Sequence, residues 1–288
     1  MKFVTIRSGG DLRPAVLGAA GILVLSAWRS LRELISEGEA ALAKASALAE
    51  RASAGDWTPL SEVQLATPLP GATKNIFCVG RNYKQHIIEM SEARGTPAVF
   101  PKVPEFFSKP PTTIVGPEDG VERHAAHTEM LDYEVELALV IGKRGRNIAP
   151  ENAFDHIFGY TIVNDISARD AQIAHVQFFK GKSFDTFCPI GPCIVSQDEF
   201  GEPGNHRISL KVNGEVRQDS NTSDMLFKVP EIIASLSNGL TLEPGDIIAT
   251  GTPAGVAGGM NPPGWLDVGD VTEAEIEGIG VLRNHIVS

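Results

Sequence analysis

Three cysteines in 288 residues, an odd number with no CxxC pair, supply no disulfide framework for the chain. Cys78, Cys188 and Cys193 are therefore expected to be buried, reduced thiols in a cytoplasmic protein. No run of Lys or Arg occurs. With 25 Lys plus Arg against 36 Asp plus Glu and a net charge of -11, a nucleic-acid partner is excluded. The longest apolar stretch, AVLGAAGILVLSAW at 15–28, is too short to span a membrane and is broken by glycines. It is no signal peptide either, because the strand-like FVTIR precedes it and Asp11 and Arg13 interrupt the run. GxGxxG after a strand, GxxxxGK(S/T), GxSxG and HExxH are all missing, which argues against dinucleotide enzymes, P-loop proteins and standard serine hydrolases.

What is present describes an ordinary soluble globular protein. At 42% hydrophobic and 21% charged residues the composition is ordinary, and the length allows one large core or two modest ones. Residues 1–28 read as short strands, and an Ala-, Leu-, Glu- and Lys-rich stretch from Ser30 to about Ser53 reads as helix broken at Gly38. The turn-rich SEVQLATPLPGATK at 61–74 marks a boundary, giving a small α/β unit over 1–72 and a longer β-rich body over 73–288. Strand candidates in the body include NIFCVG, LDYEVELALVIG, HIFGYTIVND, RISLKVNG and VTEAEIEGIG; KQHIIEMSEA, PENAFDHI and VPEIIASLS read as helices.

The stretch LDYEVELALVIG, 131–142, poses a charge problem. As a strand it places Asp132, Glu134 and Glu136 on one face, which then continues as apolar Ala138 and Val140. Two charges about 7 Å apart repel by only ~0.6 kcal/mol in water, but by ~2.4 kcal/mol at an effective dielectric of about 20. An exposed row is tolerable; a buried row needs a cation. No Lys or Arg lies between His127 and Lys143, so the cation is either a metal or a distant side chain. An acidic protein that handles an anionic substrate needs such a positive centre in any case. Further donors lie in GYTIVNDISARDAQ, 159–172, where Asp165, Arg169 and Gln172 share a face if a helix starts at Asp165; Asp165 would then cap that turn. HxxH at His124 and His127, with Glu129, is a generic rival metal pattern, and these residues are read as loop.

Five motifs taken together, GRNYKQHIIEM, LDYEVELALVIG, GYTIVNDISARDAQ, KGKSFDTFCPIGP and GDIIATGTPAGV, resemble the core of the fumarylacetoacetate hydrolase family over roughly residues 74–288. The resemblance implies an α+β, β-rich fold, a rolled mixed sheet carrying a small amino-terminal α/β domain. It also implies that Glu134, Glu136 and Asp165 hold a divalent metal, and that His86 and Glu89 form a proton-transfer dyad. Lys182, Arg169 and Gln172 would steady an oxyanion, and Thr252 and Arg81 would contact the substrate. Three hard oxygen donors suit magnesium, with manganese or calcium as substitutes. Apart from the resemblance, a histidine at i and a carboxylate at i+3 of a helix suit acid–base work near neutrality. Val79 stands where the fumarylacetoacetases of tyrosine breakdown supply a fourth carboxylate. The pattern is thus similar to the acylpyruvase and fumarylpyruvase branch. The expected activity is hydrolysis of a carbon–carbon bond in an acylpyruvate-type 2,4-dioxo acid. The alternative is decarboxylation or isomerisation of a 2-oxo acid, such as oxaloacetate, at the same site. Family habit implies a homodimer.

Overall fold

Val135, Leu137, Leu139 and Ile141 alternate with Glu136, Ala138 and Val140, and all seven residues of the strand Val135–Ile141 are buried. Both faces are buried because the strand is central in an eleven-stranded mixed sheet; the computed structural model describes residues 1–288. From one edge the main path runs Gly21–Val24, Asp11–Gly18, Lys2–Ser8, Cys188–Ser196, Ile157–Asn164, Val135–Ile141, Ile247–Ala249, Ile76–Gly80 and Glu105–Lys109. Most neighbours are antiparallel, while Ile247–Ala249 and Ile76–Gly80 run parallel. A second sheet of five strands is ordered Glu215–Asn221, Arg207–Val212, Val271–Ile276, Gly280–Val287, Gly120–Glu122. The fold is α+β and β-rich, as expected.

The two faces of the central strand bury different partners. Val135, Leu137, Leu139 and Ile141 join Ile208, Leu210, Ala274, Ile276 and Leu282 in the core between the two sheets. Ala138 and Val140 join Phe3, Leu25, Trp28, Leu31, Leu34 and Ile35 on the opposite face. The last three belong to α1 (Leu31–Glu37), which is followed by α2 (Glu39–Arg51), with the break at Gly38 as read from the sequence. Lys2 and Phe3 pair with Val195 and Ile194, so the amino-terminal strands extend the sheet of the body.

Two local readings change. The segment 131–142 is an interrupted strand: Leu131–Asp132 pairs with Ser167–Ala168 as a separate ribbon, and the main ladder resumes at Val135. The helix expected from Asp165 begins instead at Arg169 (α4, Arg169–Ala174), because pairing with Leu131–Asp132 keeps residues 167–168 extended. Asp165 caps nothing there; its carboxylate is held by two lysines. PENAFDHI forms a 3-10 helix, Pro150–His156, while α3 (Lys84–Ala93) and the helix Val229–Ser237 lie where expected.

Candidate active site

Strand register builds the acidic cluster. Glu136 stands opposite Val163 and Val135 opposite Asn164, so the next step sets Glu134 against Asp165, whose amide donates to the Glu134 carbonyl at 2.8 Å. Carboxylate oxygens of Glu134, Glu136 and Asp165 come within 4.8 Å of one another, and all three residues are buried. They occupy the end of the sheet face that further along carries Ala138 and Val140.

The side-chain cations that offset this cluster come from far along the chain. Lys182 Nζ donates to Glu134 at 2.7 Å and to Asp165 at 2.8 Å. Arg169 reaches Glu134 at 2.5 Å and Asp132 at 2.8 Å. Lys109, fully buried, donates to Asp165 at 2.5 Å and to the Ile166 carbonyl at 3.1 Å. Asp132 is buried among donors: Arg169 and the amides of Tyr133, Ala257 and Gly258. Asp132 thus anchors these donors away from solvent.

Glu136 differs from its neighbours. No cation touches it, and its hydrogen bond is from the Gly251 amide at 2.8 Å. Burial, then repulsion from Asp165 and Glu134, pushes its carboxyl well above the ordinary range. Glu134 goes the other way: burial raises it, but Lys182 and Arg169 overcome that and hold it at about 2. A carboxylate lacking a counter-charge beside two anchored ones is a donor set that fits a hard divalent cation. Burial alone favours a protonated Glu136. The folded protein then keeps a proton that the unfolded chain has already released, so stability falls as pH rises above the ordinary carboxylate pKa. Glu136→Gln is accordingly expected to raise the melting temperature of metal-free protein at neutral pH by a few degrees. It should also erase any stabilisation by added magnesium; a lower melting temperature in chelator would refute this account.

The dyad arrives on α3. Arg81, with φ 52, turns the chain from the strand Ile76–Gly80 into this helix, and Asn82 pins the turn by donating to the Thr250 carbonyl at 2.8 Å. His86 Nδ1 and Glu89 Oε2 are 3.5 Å apart, and neither atom has another partner. The other Glu89 oxygen accepts the Gly255 amide at 2.9 Å. Residues 251–258 thus give backbone amides to Glu136, Glu89 and Asp132. Two glycines permit this approach. A Cβ at Gly259 would fall 2.3 Å from the Glu89 carboxyl carbon, and one at Gly255, with φ +103, would fall 2.0 Å from the Arg217 carbonyl oxygen.

These groups surround a cavity of about 220 Å³, lined among others by His86, Arg94, Glu134, Glu136, Lys182 and Thr252. That is below the ~300–1,000 Å³ of drug-sized sites and suits a small acid. Lys182 keeps one of its three N–H donors free. Gln172 accepts from Arg169 at 3.1 Å and keeps both amide protons for the cavity. Thr252 donates its hydroxyl to the Val135 carbonyl at 2.9 Å and accepts from Gln218 at 2.8 Å, so its proton is already engaged. Arg81 lines the cavity while its guanidinium is gripped by Glu105 and the Val99 carbonyl. All ten candidate residues therefore lie in or beside one cavity. His124 and His127 lie elsewhere, along a separate groove with His175 and Lys180. Lys109 was missed by sequence reasoning, and its context, FSKPP, offers no sign of burial.

A family model described as Fumarylacetoacetate (FAA) hydrolase C-terminal matches residues 75–287. Oxaloacetate tautomerase YisK of Bacillus subtilis is 50% identical over 263 residues, which cover 89% of this chain and 86% of that protein. The human mitochondrial oxaloacetate tautomerase FAHD2A is 41% identical over 276 residues, 93% of this chain and 84% of its own. Among solved structures, fumarylacetoacetate hydrolase from Exiguobacterium antarcticum superposes with a TM-score of 0.82 at 43% identity, covering 100% of this chain and 99% of that one. No helix is long and apolar enough to cross a membrane.

Proposed function

We propose that this chain, which belongs to the fumarylacetoacetate hydrolase family, is a metal-dependent enzyme that interconverts the enol and keto forms of oxaloacetate or a closely similar 2-oxo dicarboxylic acid. The observation that carries the reading is the 50% identity, over 89% of the chain, to an oxaloacetate tautomerase. The small cavity with a proton-transfer dyad at its wall supports it. Hydrolytic cleavage of an acylpyruvate, the first expectation from the sequence, has less support than this alternative. It keeps the argument of a fold shared with structures named fumarylacetoacetate hydrolase and maleylpyruvate hydrolase.

Tautomerisation moves one proton off the enol oxygen at C2 and adds one at C3. A divalent cation, magnesium in this reading, would be held by Glu134, Glu136 and Asp165 and would supply Lewis-acid stabilisation of negative charge on the 2-oxo acid. The chain's own groups do the rest. His86 gives or takes the proton at C3, and Glu89, anchored by the Gly255 amide, orients the ring and stabilises its protonated form. The proton on the C2 oxygen leaves to solvent water, and the free N–H of Lys182 and the amide of Gln172 hold that oxygen as its charge changes. Arg169 keeps Glu134 and Gln172 in place.

The test starts from freshly dissolved enol-oxaloacetate with catalytic protein and magnesium, followed by ultraviolet absorbance. Decay of the enol well above the buffer rate, with no pyruvate formed, is expected. Decay at the buffer rate together with cleavage of acylpyruvates would overturn the proposal in favour of the hydrolase.

A further inference from the structure

The buried centre holds four carboxylates, on Asp132, Glu134, Glu136 and Asp165, against three side-chain cations, on Lys109, Arg169 and Lys182. A divalent ion turns that single negative excess into a single positive one, which balances one substrate carboxylate. A dicarboxylic acid brings two. Its remote carboxylate needs another positive group within the same cavity, or its desolvation is uncompensated.

Of the other basic side chains lining the cavity, Arg81 is committed to Glu105 and the Val99 carbonyl, and His86 faces Glu89. Arg94 remains. It ends α3, two turns beyond His86, beside Ser91 and Thr96 on the cavity wall. Its guanidinium makes no hydrogen bond and no ion pair. Partial burial, then repulsion from Arg169 and Arg81, holds its pKa below the ordinary arginine range. Arg94 is an exposed residue on the wall of this cavity, and a cation there with no acid of its own is an open position for an anion. An arginine fork also matches a carboxylate with two parallel hydrogen bonds.

Building on the dicarboxylate reading above, we propose that Arg94 is a specificity-determining residue that receives the substrate carboxylate remote from the metal site. The enzyme should thereby prefer 2-oxo dicarboxylates to 2-oxo acids with an uncharged end of the same length.

Two measurements on the magnesium-loaded protein test this. In steady-state tautomerisation, oxaloacetate is compared with acetopyruvate, in which a methyl ketone replaces the remote carboxylate. Arg94→Met should raise the KM for oxaloacetate over that for acetopyruvate by roughly 10- to 100-fold, the worth of a hydrogen bond to a charged group, with kcat little moved. Arg94→Lys should restore part of the difference. Calorimetry then compares malate with lactate, which differ by the remote carboxylate and do not react. Wild type should bind malate more tightly, and Arg94→Met should remove the advantage. Equal losses on both substrates, or a malate preference that survives in Arg94→Met, would overturn the inference, as would wild type that binds malate no better than lactate. Should wild type fail to tautomerise oxaloacetate, the proposed reaction falls, yet the malate–lactate comparison still decides the role of Arg94.

Discussion

Replacing Glu136 by alanine is expected to give a folded protein with activity lowered on the order of 10³-fold or more, the scale of losing several kcal/mol of Lewis-acid stabilisation. Excess chelator on wild type should give the same loss, and magnesium or manganese should reverse it. Glu136 is the informative ligand because of what does not touch it. Its hydrogen bond is from the Gly251 amide, so its removal strands no charge. Glu134→Ala would be ambiguous, since it deprives buried Arg169 and Lys182 of a counter-charge, and breaking such a pair costs about 3–5 kcal/mol of stability. Inactivity of Glu134→Ala could therefore report unfolding. Wild-type turnover that persists in excess chelator would remove the metal from the reaction.

His86→Ala should lower tautomerisation by about 10²–10⁴-fold, the usual worth of acid–base assistance. Metal-promoted decarboxylation of oxaloacetate should fall much less, because carbon dioxide leaves without a proton being delivered in the same step. Glu89→Gln should show the same asymmetry more weakly. It keeps the bond from the Gly255 amide and loses the charge facing His86. Both variants need saturating metal, so that altered cation occupancy does not imitate a catalytic loss. Equal losses in the two reactions would mean that His86 shapes the cavity instead of moving the proton.

Much of this site is legible in the sequence. Alternation places Glu134 and Glu136 on one face, while Asp165, read locally as a cap, joins them only through the family resemblance. The i, i+3 spacing of His86 and Glu89 holds because α3 forms where the pattern predicts it. The counter-charges are another matter. The sequence around 131–142 shows that a local cation is missing, but nothing there points to Lys109, 56 residues from Asp165. Its position is set by the pairing of Glu105–Lys109 with Ile76–Gly80, in a sheet whose order bears little relation to chain order. The displaced helix start at Arg169 has a similar cause: a two-residue ribbon with Leu131–Asp132 outweighs the local preference of Asp165 for a cap. Local pattern reading sees propensity and spacing, and it is blind to pairing across long separations.

The segment 251–259 serves as a common datum for two parts that must be machined to fit. The acid cluster is referred to it through Gly251, and the dyad through Gly255. The carboxylate that faces His86 and the acid cluster are thereby referred to one short stretch of backbone. The rest of the cavity wall can then drift to accept new substrates while the two working parts stay in gauge.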